Sequence, residues 1–184
     1  ADSPLALALA LQSRCEQLAI VDDDESAIGK LRKELDALGL HGRVTVHNSS
    51  LIAPQYVAED VIIDAEAQSS ISDASLARIY QSVRPYGGKM HLLCDDDPTA
   101  LASHITSLHL EQAEVQVRKG AVTVIRVGQL PGAADWTHQY GDISNTVKSD
   151  DRRVKLPLGV LWFGGNSNTD VLPRHGHGPP EQVI

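Results

Sequence analysis

The chain contains the stretch Leu18-Ala19-Ile20-Val21-Asp22-Asp23-Asp24, an apolar run followed directly by carboxylates. A short apolar run next to a helical pattern is typical of a buried strand. In open α/β sheets a ligand lies outside the carboxyl ends of the strands, where an acid can accept hydrogen bonds from a ribose. We therefore predict a nucleotide-cofactor fold in which Asp22 ends a strand at the ligand site and Asp23 lies beside it.

The alternative for Asp22 is a solvated or helix-capping acid. Asp24 is better placed for capping, because an amphipathic pattern begins directly after it and Gly39 follows the end of that pattern. Apolar residues recur there at helical spacing, at Ile28, Leu31, Leu35 and Leu38. The strand-end position favours Asp22 as the ribose ligand.

Strand and helix patterns alternate through residues 1–128. Helices are predicted over about residues 4–15, 25–38, 73–84 and 98–108, and strands over residues 17–21, 43–47, 60–63, 89–93, 114–118 and 121–127. Lys119-Gly120 separates the last two strands at hairpin spacing. The pattern therefore predicts an α/β domain with a mostly parallel sheet, helices on both faces and a terminal antiparallel hairpin.

Composition restricts the function classes. The formal net charge of −8 argues against a nucleic-acid-binding surface. No apolar stretch reaches the roughly 18 residues that a membrane-spanning helix needs. Cys15 and Cys94 are too few for a disulfide framework, and we expect both to be free thiols. The histidines of residues 1–128 show no metal-ligand spacing, so no metal site is predicted.

Residues 1–128 resemble the class I S-adenosylmethionine-dependent methyltransferases. Residues 18–22 are similar to that family's second strand, whose terminal acid binds the ribose hydroxyls, and the closing hairpin is similar to its sixth and seventh strands. A third segment is similar to the helix–turn–strand unit before its fifth strand: Ser82-Val83-Arg84-Pro85-Tyr86-Gly87-Gly88-Lys89-Met90-His91-Leu92-Leu93. The resemblance implies a Rossmann-like methyltransferase sheet, S-adenosylmethionine as the small-molecule cofactor and Asp22 as its ribose ligand.

The resemblance also has a gap. The family's first strand, which lies in the middle of the sheet, and its glycine-rich turn would precede Ala1. Asp2 and Ser3 look like the far edge of that turn, which implies that they contact the cofactor. Without this strand two buried strand edges would lack partners. We therefore expect the domain to be incomplete at this end, with another segment or another chain supplying the strand.

Two further strand ends carry candidate site residues. In the family an acid after the third strand contacts the adenine amine, and this chain has Asn48 and Ser49 there. The alternative is a polar turn that satisfies its own backbone. The fourth strand ends at Asp64, and either Asp64 or Glu66 could be a general base toward a methyl acceptor. The alternative is a pair of solvated loop acids, because no second polar partner is near in sequence.

Composition changes near Gly128, and residues 129–184 read as an irregular extension. The segment Asp135-Trp136-Thr137-His138-Gln139-Tyr140-Gly141-Asp142-Ile143-Ser144-Asn145-Thr146 resembles the opening of quinoprotein-type β-propellers, and Val160-Leu161-Trp162-Phe163 is similar to their first strand. About 55 residues cannot form a propeller. This extension is therefore either the start of a propeller or a linker, and His175-Gly176-His177 is read as a loop rather than a metal site.

Two functions follow from these resemblances. The first is S-adenosylmethionine binding with methyl transfer to an unknown acceptor, which implies a cytoplasmic protein. The second is a catalytically inactive methyltransferase-like module that serves interaction or structure beside a propeller, which implies a periplasmic or cell-envelope protein. Fold alone does not decide between them.

Overall fold

The structure is a computed structural model that describes residues 4–48, 54–138 and 140–156. It divides into two compact units, Ala1–Gly128 and Gln129–Ile184. Several residues considered above lie outside the described ranges: Asp2, Ser3, Ser49, the strand expected over residues 160–163, and the His175-Gly176-His177 segment.

The first unit alternates helices and strands. Its helices are α1 (Pro4–Gln12), α2 (Glu25–Ala37), α3 (Ala65–Ser70), α4 (Asp73–Tyr80) and α5 (Pro98–Ser107). Its strands are β1 (Leu18–Asp22), β2 (Val44–Asn48), β3 (Asp60–Ile63), β4 (Lys89–Leu93), β5 (Ala113–Arg118) and β6 (Ala121–Arg126). No described helix is long and apolar enough to cross a membrane.

The strands form two sheets. β1 and β2 pair in parallel, while the second sheet has the order β3-β4-β6-β5. In that sheet β3 and β4 are parallel, and β6 runs antiparallel to both β4 and β5. The α/β class and the closing hairpin are confirmed, and the second sheet is mixed, with β3 and β4 parallel and β6 antiparallel to the strand on each side of it. Across the described ranges, no strand pairing joins the two sheets.

Each sheet has its own apolar core. In the smaller one, α2 buries Ile28, Leu31 and Leu35 against Val44 and Val46 of β2. These helix residues recur at three- and four-residue spacing and so form one face. Burying such a side chain contributes roughly 1.5–3 kcal/mol. The larger core lies on one face of the second sheet and contains Ile63, Leu76, Tyr80, Val83, Met90, Leu92, Ile105 and Val124.

Three helices differ from the sequence prediction, and the first of them, α1, ends at Gln12 rather than near residue 15. The helix α3 was expected to be a loop, and α4 ends at Tyr80 rather than near residue 84. After Tyr80 the turn is tighter than an α-helical turn, because the N–H of Ser82 donates to the carbonyl oxygen of Ile79, three residues earlier, at 2.9 Å. The N–H of Arg84 then donates to Ala58 O at 2.9 Å, so this segment pairs with the chain before β3 instead of continuing the helix. Pro85 also disfavours a helical Arg84.

The turn from Arg84 to Gly88 requires glycine at its end. Gly87 has φ +102°, which L side chains rarely adopt. A Cβ on Gly88 would lie 2.5 Å from the Arg84 carbonyl oxygen and 2.9 Å from Val83 Cγ1. The backbone therefore approaches itself too closely for any other residue, and β4 begins directly after this contact.

The second unit is held by carboxylates that accept backbone N–H groups. Asp142 Oδ1 accepts from the N–H of Ser144 (2.9 Å) and of Thr146 (3.1 Å), and its Oδ2 accepts from the Thr146 hydroxyl (2.7 Å). Beside this loop, the Trp136 ring lies against Gly141, where a Cβ would be 3.6 Å from the ring. The described part of this unit is thus a set of linked turns.

Candidate functional site

The first candidate site lies at the carboxyl ends of β1 and β2. Asp22 and Asn48 are the last residues of these strands and are partners in the parallel register. The register therefore places one carboxylate and one amide side by side at the sheet edge where ligands of open α/β sheets bind. Asp23 follows as an exposed residue.

Asp22 is partly buried and bound by its own turn. The backbone N–H of Asp24 donates to Asp22 Oδ1 at 2.8 Å. Burial raises the pKa of Asp22, whereas hydrogen bonds from the N–H groups of Asp24 and Asp23 lower it. Asp22 is therefore an ionised acceptor at neutral pH. Because a carboxylate offers about four acceptor positions, it can bind donors beyond its turn.

Asp24 caps α2, as its position in the sequence predicts. Its Oδ1 accepts the N–H of Ser26 at 2.8 Å and of Ala27 at 3.3 Å, and its backbone is extended. These bonds satisfy donors that the first turn of α2 would leave unpaired. The consecutive acids thus have separate places, with Asp22 at the strand end and Asp24 at the helix start.

Asn48 contacts a residue that the sequence pattern did not single out. Its Nδ2 donates to Glu25 Oε1 at 2.7 Å, which joins the end of β2 to the first turn of α2. The position of Glu25 in the sequence is only a weak indication of a site residue, since an acid in the first helical turn is common without any ligand role. The contact depends on the β1–β2 register, which brings Asn48 opposite Asp22.

A second candidate site is a cavity of about 580 Å³ at the carboxyl ends of β3 and β4. Its wall combines acidic, neutral polar and apolar side chains: Ala65, Glu66, Gln68, Ser69, Cys94, Asp95, Asp96, Asp97, Ala100, Leu101 and His104. Glu66 was a sequence candidate, whereas the run Asp95–Asp97 and His104 were not. Cys94 is a half-buried free thiol, as is Cys15.

The acids around this cavity differ in whether they cap a helix. Asp64 caps α3, because its Oδ1 accepts the N–H of Ala67 at 2.8 Å. Asp97 caps α5, and hydrogen bonds from the backbone and then the side chain of Thr99 lower its pKa. Neither role requires a ligand. Glu66 is exposed and lines the cavity without capping a helix.

His104 reaches from the cavity wall to α4, with Nε2 2.8 Å from Asp73 Oδ1. The histidine thus faces an acid outside the cavity lining. No cluster of His, Cys, Asp or Glu able to hold a metal ion occurs in the part of the chain that the structure describes.

The candidates therefore fall into two groups. Asp22, Asp23 and Asn48 lie at the edge of the small sheet, and Asp64 and Glu66 lie at the carboxyl end of β3. Both groups occupy the carboxyl ends of parallel strands, as expected for an open α/β fold of the Rossmann class.

No protein-family model matches the chain, and no curated protein sequence matches it. Among solved structures, the chain is similar to a candidate S-adenosyl-L-methionine-dependent methyltransferase from Methanococcus maripaludis. That match has a TM-score of 0.52 and 12% identity, and it covers 69% of this chain and 74% of the other. A second similar structure is a SAM-dependent methyltransferase from Aquifex aeolicus, with TM-score 0.46, 13% identity, and coverage of 59% and 67%.

A methyltransferase from Geobacter sulfurreducens is also similar, with TM-score 0.44 and 14% identity. The match covers 61% of this chain and 59% of the Geobacter sulfurreducens chain. At such identities the likeness concerns the fold alone. The M. maripaludis match carries the conclusion: the chain has an α/β fold resembling the S-adenosylmethionine-dependent methyltransferases.

Proposed function

We propose that the protein binds S-adenosylmethionine at the carboxyl ends of β1 and β2 and acts as a methyltransferase-like domain. The observation that carries this proposal is the register pairing of Asp22 with Asn48 at that edge. The fold that the chain shares with methyltransferases supports it. Fold alone would not, because function depends on the site.

The chemistry of the donor set fits the cofactor. Ribose hydroxyls donate hydrogen bonds, and the ionised carboxylate of Asp22 accepts them. The exocyclic amine of adenine also donates, and the amide oxygen of Asn48 is an acceptor of matching type. Asp23 is proposed to lie next to the ribose. Asp2, Ser3 and Ser49 complete the proposed cofactor set on the resemblance alone.

The cavity beside β3 and β4 is the proposed acceptor site. When bound, S-adenosylmethionine supplies a methyl group on a positively charged sulfur. Glu66 could accept a proton from a hydroxyl or amine at its carboxylate, whereas Asp64 would mainly hold α3. The acids on the wall disfavour an anionic acceptor.

Within residues 4–48 and 54–138, β1 and β3 each have one edge without a strand partner, which supports a further strand as a partner. Because the Leu18 N–H donates to the carbonyl oxygen of Arg43, the residue before β2, the backbone groups of Ala19 and Val21 face away from β2. The N–H of Lys89 donates to Glu59 O, which likewise leaves Ile62 facing away from β4. Val21 is 51% exposed and Ile62 is 42% exposed. We propose that another segment or chain pairs at these edges, since exposed apolar strand edges favour pairing.

The test is calorimetric titration of the full-length protein with S-adenosylmethionine and S-adenosylhomocysteine. We expect binding that is lost in Asp22→Ala and retained in Glu34→Gln, an exposed acid of α2 outside the proposed site. Circular dichroism of both variants controls for folding. A folded wild-type protein that binds neither compound, or an Asp22→Ala variant that binds as well as wild type, would refute the proposal.

The second candidate is a catalytically inactive module that mediates interaction or structure, attached to a quinoprotein-like propeller. The unpaired edges of β1 and β3 favour it, because a domain whose sheets are not joined in the described ranges has surface suited to a protein partner. Failure to bind the cofactor, combined with co-purification of a partner that is lost in Val21→Lys and Ile62→Lys, would support this function instead.

A further inference from the structure

Arg126, the last residue of β6, is a fully buried cation whose hydrogen bonding is incomplete. Its Nη2 donates to the Tyr80 carbonyl oxygen at 2.8 Å. Its Nε and Nη1 are shielded from solvent and have no hydrogen-bond partner within residues 4–48, 54–138 and 140–156. A buried charged donor without an acceptor is costly, and folded proteins normally satisfy it with a protein group, water or an ion. Arg126 therefore retains donors for a further acceptor.

Glu111 faces this guanidinium without forming a hydrogen bond to it. Its Oε2 lies 3.9 Å from Arg126 Nη1, which is an ion-pair distance but too long for a hydrogen bond. The Glu111 side chain is 44% exposed, and exposed side chains change rotamer rapidly, so it can turn into water. A second carboxylate that takes its place beside Arg126 would leave the charge of the site balanced.

The surroundings of Arg126 restrict the kind of acceptor. The centres of the Tyr80 and Tyr56 rings lie 4.1 and 5.3 Å from its guanidinium carbon. Aromatic faces attract cations and repel anions, so an anion must approach in the plane of the guanidinium, toward which the N–H groups point. A planar carboxylate suits that direction. Its single charge also matches that of Arg126, whereas a phosphate dianion would leave an excess negative charge.

The segments that contribute Tyr56 and Glu111 each contain a residue with an unusual backbone conformation. Tyr56 itself has φ +63°, and Gln112, the neighbour of Glu111, has φ +55°. Residues other than glycine rarely adopt this left-handed region, and such strain is concentrated at ligand sites and at segments that move. Both segments are therefore suited to open a path to the buried donors.

We propose that Arg126 is the centre of an anion-binding site, which takes a small carboxylate in exchange for Glu111. The incoming carboxylate accepts hydrogen bonds from the open N–H groups of Arg126 while the Glu111 side chain turns to solvent. This site does not depend on the proposed methyltransferase-like function. Since the Arg126 N–H donates to Gly88 O, just before β4, the site lies at the opposite end of that strand from the cavity.

The probe is formate. Sodium formate and sodium chloride are titrated separately into the full-length protein at matched ionic strength. The readout is the Nε–H resonance of Arg126 in a nitrogen–proton correlation spectrum, assigned by its loss in Arg126→Met. We expect formate to shift this resonance in a saturable manner, with a smaller effect of chloride. Formate should also raise the melting temperature above that in chloride, because a ligand bound only by the folded state stabilises it.

Two substitutions test the residues of the site. Glu111→Gln removes the competing carboxylate and its repulsion of an anion, so the dissociation constant for formate should fall about tenfold. Glu114→Gln, an exposed acid of β5, is the matched control and should leave that constant unchanged. Arg126→Met should abolish the rise in melting temperature. Circular dichroism checks the folding of each variant, and Glu111→Gln keeps the test decisive if Arg126→Met folds poorly.

The remaining outcomes count against the proposal. If formate shifts the Arg126 resonance neither in the wild type nor in Glu111→Gln, the open donors bind no carboxylate, and buried water satisfies them instead. If chloride acts as strongly as formate, the preference for a carboxylate is refuted. If Glu111→Gln binds formate no more tightly than the wild type, the anion does not replace Glu111.

Discussion

The guanidinium carbon of Arg126 lies 4.1 Å from the centre of the Tyr80 ring, and its Nη2 donates to the Tyr80 carbonyl oxygen at 2.8 Å. Both residues are fully buried. The centre of the Tyr56 ring lies 5.3 Å from the same carbon, and Glu111 Oε2 is 3.9 Å from Arg126 Nη1. A buried cation needs such compensation, and the aromatic faces, the carbonyl and the acid provide part of it. Among the described residues, the Nε and Nη1 of Arg126 have no hydrogen-bond partner.

Arg126→Ala should lower the free energy of unfolding by about 3 kcal/mol, because it leaves a cavity between aromatic rings and removes the donor from the Tyr80 carbonyl. Arg126→Lys should cost less, since it keeps a charge near the ring but loses the planar group. Urea denaturation measures both. Arg118→Ala, at an exposed position of β5, is the control and should change stability by less than about 0.5 kcal/mol. An Arg126→Ala variant as stable as this control would contradict the prediction.

Gly88 and Gly29 provide a matched pair of glycine substitutions. Gly88→Ala should destabilise the protein by about 1–3 kcal/mol, because its Cβ would lie 2.5 Å from the Arg84 carbonyl oxygen. Gly29→Ala lies within α2 with nothing within 4 Å of the new Cβ, and should stabilise by roughly 0.5–1 kcal/mol. Melting temperatures of the two variants should therefore shift in opposite directions. Shifts of the same sign would show that the close contact with the Arg84 carbonyl oxygen does not determine the effect of an added Cβ at position 88.

Substitutions of Asp64 and Glu66 should affect different properties. The first should change stability and the second should change the rate of methyl transfer. Asp64→Ala should lower the free energy of unfolding by about 1 kcal/mol through loss of the α3 cap. Glu66→Gln should leave stability nearly unchanged and slow methyl transfer by about a hundredfold, if Glu66 is the proposed base. Denaturation gives the first quantity. Release of S-adenosylhomocysteine with a panel of amines and alcohols gives the second. A Glu66→Gln protein with wild-type turnover would exclude Glu66 as the base.

The loop around Asp142 should loosen in acid. Hydrogen bonds from the side chain and then the backbone of Thr146 hold the pKa of Asp142 below the ordinary value of 3.8. A lowered pKa in the folded state contributes stability that is complete above about pH 3.8 and is lost as the pH falls through the folded pKa. The protection factors of the Ser144 and Thr146 amides against hydrogen exchange should fall accordingly. Asp142→Asn should remove that acid transition, and an unchanged transition in this variant would exclude Asp142 as its source.

Local patterns predicted much of the fold. The helical spacing of α2 was sufficient, because that helix buries one continuous set of side chains. The apolar run of β1 predicted a strand correctly, but its residues are half-buried or exposed rather than buried. Lys119-Gly120 likewise predicted the hairpin that the structure confirms. The helix α3 was missed because Ala65–Ser70 buries no residue and so has no apolar periodicity. Its signals are the cap at Asp64 and the helix propensity of Ala and Glu.

Contacts between distant segments could not be predicted. Arg126 lies within the strand predicted over residues 121–127, and its burial depends on Tyr56 and Tyr80 from earlier parts of the chain. Glu25 meets Asn48 only because the register of β1 and β2 is fixed. The cavity beside β4 joins two helices that are separated in sequence. In each case the decisive information is spatial adjacency.

The pairing of Asp22 with Asn48 constrains which length changes this region can accept. Side chains of a strand alternate between the two faces of its sheet, so one residue inserted within β2 would turn Asn48 to the opposite face. The same insertion in the exposed turn at Gly39 to Gly42 would leave the pair intact. Homologous chains that keep the site should therefore vary in length in that turn and never inside β2.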